Sequence, residues 1–268
     1  MPNRDEEGFQ ASIHSQSLLV QQTEKEILKL LQSAQDEVIS LLSKNSSVAN
    51  IGRLAALKKE ITRTVASFNV QAADTFTKKQ EASWGLGKDL VTIPATWHGI
   101  IGTDPSISIA QLQMMKNFAT DRIRNISTET INRINGVLAY GLIGAKSFSQ
   151  MVDGVQQQME GSPRRRAITI VRTELPRAYS AAADETMKEV ANRAPPGTIQ
   201  KEWRRSGKPT GRPNHSAADR QVRDVDQPFD LITISMMYPR DPNAPPGETI
   251  NCGCFHTPKI NMDKYYAK

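Results

Sequence analysis

The first half of the chain is dominated by apolar residues that recur every three or four positions. They run from Ser12 to Ser43 and again from Ile51 to Phe68, with polar residues between them. This spacing is that of an amphipathic α-helix, and both stripes are too long for strands. The polar break at residues 44–47 predicts that the two helices form an antiparallel hairpin. The apolar positions are Ile13, Leu18, Val20, Ile27, Leu30, Leu31, Val38, Leu41, Leu42, Ile51, Leu54, Leu57, Ile61, Val65 and Phe68.

A third stripe of helical spacing runs from Ile109 to Val137, after a segment rich in glycine and proline between Gly85 and Pro105. We expect that segment to be a looser connection between helices. Apolar residues make up 38% of the chain and aromatic residues only 6%. Such a lean composition suits long helices with solvated faces better than a compact barrel.

The pattern changes in the last third of the chain. Residues 161–163 (Gly-Ser-Pro) predict a hinge, and a helix follows over residues 164–190, with Pro176 expected to bend it. Short strands are predicted at residues 198–204, 221–225, 231–234 and 250–255. The predicted fold class is therefore α+β: an elongated, mainly helical region (residues 1–145), then a small loop-rich α+β module (residues 146–268).

The basic residues of the chain are concentrated in one segment. Residues 161–224 contain 14 Lys and Arg against 7 Asp and Glu, whereas the whole chain has 34 against 28. A local basic excess favours contact with phosphate backbones, because such contact releases counterions. The alternative is a solvated surface. The candidate nucleic-acid-binding residues are Arg164, Arg165, Arg166, Arg204, Arg205, Lys208 and Arg212.

The only two cysteines, Cys252 and Cys254, are separated by one residue and cannot form a disulfide framework. They indicate synthesis in a reducing cytosol. If they lie on a strand, their side chains share a face, which His256 continues and which His215 could join. Two thiolates with imidazole form a ligand set for a structural zinc ion. The alternative is a pair of small buried apolar residues beside a surface histidine.

A catalytic interpretation is open for the same residues. Cys252 or Cys254 would be the nucleophile and His215 its base, oriented by Asp219 or Asp241. A thiolate nucleophile also needs an electropositive and partly exposed position, which the sequence does not define.

Four features follow one another in a fixed order in this last third. They are a helix with Arg172, Thr173 and Glu174; a strand with Trp203 and then a loop with His215; a proline-rich loop with Pro239 and Asp241; and the closing run Asn251-Cys252-Gly253-Cys254. Arg172, Thr173 and Glu174 are about 100° apart on the helix and cannot face one partner. We expect the arginine and the glutamate to tie the helix to the loops through buried ion pairs, and Trp203 to anchor the core.

The order of these features resembles the Mu F-like minor head proteins of tailed bacteriophages, also called phage head-morphogenesis proteins. The resemblance covers residues 163–258. Two positions depart from it: Gly253 stands where arginine is frequent, and Asp219 where glycine is common.

The resemblance implies a non-enzymatic minor capsid protein of the virion. Such a protein is made in the host cytoplasm, enters the procapsid beside the portal and stays inside the head. Its partners would be the portal protein, other head proteins and packaged DNA, and no membrane. No apolar run approaches the ~18 residues that a membrane span needs. The alternatives are a zinc-stabilised DNA-binding module and a Cys/His hydrolase such as a maturation protease.

Overall fold

The computed structural model describes residues 4–44, 51–142, 147–207 and 211–267. Four long helices come first, and short helices and strands follow, so the predicted α+β class is confirmed. The elements are α1 (Arg4–Lys44), α2 (Ile51–Trp97), α3 (Ile109–Leu142), α4 (Phe148–Asn192), β1 (Ile199–Arg204), α5 (Pro213–Ala217), β2 (Val222–Asp224), β3 (Phe229–Asp230), β4 (Ser235–Met236), α6 (Pro246–Thr249), β5 (Phe255–Ile260) and α7 (Met262–Tyr266).

The predicted hinge at residues 161–163 is wrong, and the predicted looser connection at residues 85–105 begins only after Trp97, where α2 ends. Helix α2 includes Gly85, Gly87 and Pro94, and α4 runs through the predicted hinge at residues 161–163. A proline inside a helix costs about 3 kcal/mol and a glycine about 1. Burial offsets these costs, since α4 buries apolar side chains on both sides of Pro163. Local propensity is thus overridden by packing.

The chain forms two compact units, and each contains segments from both predicted regions. Unit 1 consists of Met1–Gln21, Lys79–Lys116 and Arg172–Lys268, and unit 2 of Gln22–Lys78 and Asn117–Val171. The predicted boundary at residues 145/146 does not coincide with this division. No helix among the described residues is long and apolar enough to span a bilayer.

Within unit 1, α1 and α2 run antiparallel, as predicted. Early residues of α1 contact late residues of α2 and the residue that follows it: the His98 ring Nε2 lies 2.9 Å from Asp5 Oδ2, and Ser83 Oγ donates to Gln16 Oε1 at 3.0 Å. Helix α4 packs against both, because Ser83 Oγ lies 2.6 Å from Leu175 O and Ser12 Oγ lies 2.9 Å from Tyr179 OH. The apolar core of this packing contains Phe9, Leu90, Val91, Ala95, Ile100, Ile101, Tyr179, Ala183, Met187, Val190 and Ile199.

The close approach of α2 to α4 depends on Gly87. A Cβ atom at this position would lie 2.1 Å from the carbonyl oxygen of Tyr179, which cannot yield without moving the backbone. We therefore expect Gly87→Ala to destabilise the protein by about 1–3 kcal/mol through overpacking. The measurement is the free energy of unfolding in urea.

Gly85 supplies the matched control, because a Cβ atom there has no neighbour within 4 Å. Gly85→Ala is expected to stabilise the helix by about 0.5–1 kcal/mol. If the two variants change the unfolding free energy alike, the proposed contact does not determine the effect.

Unit 2 is built from segments of the four long helices. The buried side chains include Val38 of α1, Phe68 of α2 and Ile126 of α3, so the apolar stripes seen in the sequence form its core. Polar contacts join the helices at the rim, as where Gln35 Nε2 donates to Glu160 Oε1 at 2.9 Å.

The strands of unit 1 form a three-stranded antiparallel sheet in the order β2-β1-β5, and a separate two-stranded ribbon of β3 and β4. The predicted strands at residues 198–204 and 221–225 correspond to β1 and β2. The other two predictions are wrong. Residues 231–234 are the turn between β3 and β4, and residues 250–254 form a loop before β5.

Candidate metal centre

Three side chains of unit 1 converge in the loop region beside the sheet. The Nδ1 atom of His215 lies 3.5 Å from Cys252 Sγ and 3.6 Å from Cys254 Sγ. All three ligand atoms are within 4.8 Å of one another, and the residues are buried. We call His215, Cys252 and Cys254 the Cys–His group.

The short helix α5 places His215. Pro213 occupies its first turn, where the missing N–H costs nothing, and Arg212 precedes it in an extended conformation. The Arg212 guanidinium donates through Nη2 to the carbonyl of Ile250 at 2.7 Å. That bond ties the start of α5 to the loop that carries the cysteines.

The cysteine loop is held by backbone hydrogen bonds. The N–H of Asn251 donates to Thr173 Oγ1 of α4 at 3.1 Å, and the N–H of Cys252 donates to Thr249 O at 3.2 Å. Asn251 has φ 54°, so the chain turns before Cys252. Arg240 Nη1 donates to the carbonyl of Cys252 at 2.6 Å. The chain therefore turns directly before the two cysteines, which lie in a loop and not on the strand that the sequence predicted.

Glu248 of α6 orients the His215 ring. Its Oε2 atom lies 2.9 Å from Nε2 of His215, and a carboxylate in that place accepts a hydrogen bond from the Nε2–H group. The lone pair of the neutral ring is then on Nδ1 and faces both sulfurs. Sequence reasoning did not assign this role to Glu248. Its signal was an acidic residue four positions before Cys252.

The two thiols of the group share a proton. A hydrogen bond from the thiol of Cys254 lowers the pKa of Cys252, and the Arg240 guanidinium lowers it further. The same hydrogen bond, together with burial, raises the pKa of Cys254. Cys252 is therefore the more acidic thiol of the pair, and the positive charge of Arg240 favours its thiolate form.

A wall of aromatic rings lies behind the Cys–His group. The ring of Trp203 on β1 contacts the ring of His215 edge-on, with centroids 5.6 Å apart, and that of Phe229 at 5.3 Å. Trp203 is completely buried, in one apolar cluster with both cysteines. The expected anchoring role of Trp203 thus includes packing against a ligand-bearing side chain.

His256, named with the group as a candidate ligand, is not brought to it. The residue lies on β5 opposite Trp203, is buried, and stacks on Tyr238 with centroids 6.2 Å apart. Cys254 lies in the loop before β5 and not on that strand, so the alternation that would place the two side chains on one face does not apply.

Burial makes His256 a source of acid sensitivity. Neither ring nitrogen has a hydrogen-bond partner among the described residues, and desolvation, reinforced by Lys201 and Arg240, holds the pKa of His256 well below its ordinary value. The unfolded chain binds a proton below about pH 6.5, whereas the folded chain stays neutral there. Stability from the neutral ring is thus present above pH 6.5 and is lost as the pH falls toward the folded pKa.

We expect His256→Phe to remove this dependence. Between pH 6.5 and 4.5, the unfolding free energy of the unmodified chain should fall by up to about 1.4 kcal/mol per pH unit more than that of the variant. Urea unfolding at a series of pH values measures the difference. Parallel curves for the two proteins would show that His256 is protonated in the folded state.

The acidic residues predicted to orient His215 in a catalytic site accept hydrogen bonds from backbone N–H groups instead. Asp219 Oδ1 accepts from the backbone N–H of Arg205 at 2.8 Å, and Asp241 accepts from the N–H groups of Met237 and Asn243 at 3.0 and 2.9 Å. Both thiols are at most 4% exposed. The orienting carboxylate is Glu248 instead, in a place that suits either metal binding or a cysteine–histidine pair.

Comparison with known proteins finds a family that matches this part of the chain. Residues 132–257, which contain the whole Cys–His group, match the family described as phage Mu protein F like protein. This segment is Mu F-like. The resemblance inferred from the ordered motifs is confirmed.

One curated relative is an uncharacterised protein, YqbB, of Bacillus subtilis (strain 168). It is 28% identical over 159 residues, which is 58% of this chain and 50% of that protein. The chain thus spans about half the length of this relative. No solved structure matches the chain.

The remaining motif residues of the Mu F-like segment hold the loops in place. Glu174 of α4 accepts from Arg177 Nη1 at 2.5 Å, and Arg177 Nε donates to the carbonyl of Arg240 at 3.0 Å. The buried ion pair expected for this helix therefore uses Arg177, whereas Arg172 is exposed. Pro239 is buried next to Arg240 in the proline-rich loop. Arg177 is three residues after Glu174, a spacing that could have indicated the pair.

The candidate nucleic-acid-binding residues lie in both units, and several have other partners. In unit 1, Arg204 pairs with Glu6 and Glu202, and Arg205 with Asp219. The described contacts of Arg212 include the carbonyl of Ile250. Lys208 lies outside the described residues. In unit 2, Arg166 pairs with Glu129, whereas Arg164 and Arg165 are exposed on α4.

Proposed function

We propose that this chain is a minor head protein of a tailed bacteriophage, which enters the procapsid with the portal protein and acts in head morphogenesis. The observation that carries the proposal is the Mu F-like match over residues 132–257. The motif residues in that match are joined by direct contacts: Thr173 binds the cysteine loop, and Trp203 packs against His215. The contacts support a structural role for the motif.

The test is a nonsense codon in this gene in the phage or prophage that carries it. Loss of the protein is expected to reduce infectious particles and to leave malformed or poorly filled heads in electron micrographs. The matched control is the same phage supplied with the intact gene in trans, which should restore the titre. Mass spectrometry of purified virions is expected to detect the protein in heads, and its portal association is tested by co-purification with the portal protein.

Two outcomes would contradict the proposal. One is normal heads and normal titre without the protein. The other is absence of the protein from both procapsids and virions.

For the DNA contact, we propose Arg164 and Arg165 as the principal contacts among the described candidates. They are exposed on α4, and Arg165 lines a groove that also contains Arg122 and Arg166. Each phosphate contact contributes about 0.9 to the slope of log K against log salt concentration. We expect Arg164→Ala/Arg165→Ala to reduce that slope by about 2 for double-stranded DNA. Fluorescence anisotropy at several salt concentrations measures it.

A variant with the same change of net charge provides the control. Lys78 and Arg124 also belong to unit 2, but each is paired with an aspartate at 2.7 and 3.3 Å, respectively. Lys78→Ala/Arg124→Ala is expected to leave the slope unchanged. An equal reduction in both double variants would mean that net charge, and not a defined contact, determines binding.

A further inference from the structure

The Nδ1–Sγ distances within the Cys–His group match those between the ligands of a tetrahedral zinc ion. For tetrahedral zinc, bonds of about 2.3 Å to sulfur and about 2.05 Å to nitrogen place these atoms about 3.6 Å apart. The two observed Nδ1–Sγ distances are 3.5 and 3.6 Å. One lone pair on Nδ1 accepts a single S–H well, whereas an ion between the three atoms is bound by all of them.

The contact of the His215 ring with Glu248 is also typical of a metal-binding histidine. Histidines that bind metals almost always donate their other ring N–H to a carboxylate or carbonyl, which fixes the ring and makes it more basic. Glu248 Oε2 lies 2.9 Å from Nε2, on the opposite side of the ring from the sulfurs. The side chain of Glu248 is 21% exposed and that of His215 3%, so the carboxylate screens the ring from solvent.

The ligands are also held in position by the rest of unit 1. His215 is on α5, whereas Cys252 and Cys254 are on a loop fixed by Thr173 and Arg240. A metal at this point would join two segments that are 37 residues apart in the chain. The strands and helices around these two segments are short, so a metal ion would add a link where little regular secondary structure provides one.

We propose that His215, Cys252 and Cys254 bind one zinc ion, with Glu248 positioning the histidine. Two thiolates and an imidazole are soft ligands that suit zinc, whereas magnesium and calcium prefer oxygen. The fourth ligand is solvent. A cavity of about 320 Å³ opens onto both sulfurs and is lined by Ser206, Ser216 and Asn251 among others.

Each ligand must lose or lack its proton for the ion to bind. The thiols of Cys252 and Cys254 release theirs to solvent, and His215, whose Nε2–H donates to Glu248, would bind the ion through the lone pair of Nδ1. No oxidation is involved. The two negative sulfurs neutralise the charge of the zinc ion.

The test uses the full chain, kept reduced and loaded with zinc chloride. We expect one zinc per chain by elemental analysis after gel filtration, and a thiolate-to-metal charge-transfer absorption when Co²⁺ replaces zinc. Glu248→Gln is expected to bind zinc about 10–100-fold more weakly in competition with a chelator. His256→Phe, which alters the other candidate histidine, is expected to bind zinc as the unmodified chain does.

Cys254→Ser is the ligand variant and should lose the cobalt absorption. If it fails to fold, the Glu248→Gln titration still decides, since Glu248 does not bind the ion directly. The proposal is overturned if the reduced chain binds no zinc, or if Cys254→Ser keeps full affinity.

A second readout separates zinc binding from a cysteine nucleophile. Zinc is expected to protect both cysteines from iodoacetamide. Rapid alkylation of one cysteine, equal with and without zinc, would overturn the proposal in favour of a Cys/His hydrolase. Because these measurements do not involve phage particles, their failure would leave the proposed role in head assembly to be judged by its own test.

Discussion

Replacing Trp203 with alanine is expected to lower the free energy of unfolding by about 3–5 kcal/mol. The side chain is completely buried at the centre of the sheet, on the strand that pairs with both β2 and β5. It contacts the rings of His215 and Phe229. Removing it leaves a cavity between the sheet and the Cys–His group, which a region held by short loops can fill only by rearranging.

Two further variants test whether the loss of buried volume at Trp203 causes the destabilisation. The indole Nε1 of Trp203 has no hydrogen-bond partner among the described residues, so Trp203→Phe loses volume but no hydrogen bond. We expect less than half the cost of the alanine variant. Trp97 is 40% exposed, and Trp97→Ala should cost least. Urea unfolding followed by circular dichroism measures all three. A Trp203→Ala variant no less stable than Trp97→Ala would contradict the anchoring role.

The second large effect is expected at the ion pair between Lys201 and Asp184. The Lys201 side chain is 0% exposed, and its Nζ atom lies 3.0 Å from Asp184 Oδ1 and 2.7 Å from the carbonyl of Met237. Breaking a buried pair by removing one partner costs about 3–5 kcal/mol, because the other charge stays in a poorly solvated place. We expect Asp184→Asn to lower the free energy of unfolding by this amount at neutral pH.

Replacing Lys201 is expected to lower the free energy of unfolding less than replacing Asp184 does. Asp184 is also 2.6 Å from Lys188 Nζ, and the side chain of Lys188 is 39% exposed. In Lys201→Met the carboxylate therefore keeps a cationic partner and no buried charge is left alone. The double variant Asp184→Asn/Lys201→Met should recover much of the loss of Asp184→Asn, and a double-mutant cycle measures this coupling. Additive losses would contradict the pairing.

The pH dependence of Asp184→Asn provides a further check. Desolvation lowers the pKa of Lys201, and Asp184 opposes that effect. Without Asp184 the folded pKa falls further below the unfolded value of about 10.4. Stability is then greatest above the unfolded pKa and is lost as the pH falls through the folded pKa. The difference in unfolding free energy between Asp184→Asn and the unmodified chain should therefore become smaller as the pH rises from 7 to 10.

The residues of the Cys–His group could be named from the sequence, but their geometry could not. Cys252, Cys254 and His215 stand out as soft ligands in a loop-rich region. The prediction placed the cysteines on a strand and added His256. The structure shows a loop that begins with a turn at Asn251, where φ is positive, and assigns the orienting role to Glu248. Period-two alternation holds only within a strand, so it cannot describe a loop that turns back.

Local sequence patterns also describe only part of the long helices. The sequence by itself determined that α1 and α2 form a hairpin, because apolar side chains at helical spacing are stable only when that face is buried. The segments around Gly85 and Pro163 were decided by tertiary structure. There the local cost of glycine and proline is smaller than the gain from packing helices that are distant in the sequence, such as α2 at Gly87 against the backbone of α4 at Tyr179. The ordered motifs identified the Mu F-like segment, and only the folded chain could show which of their side chains meet.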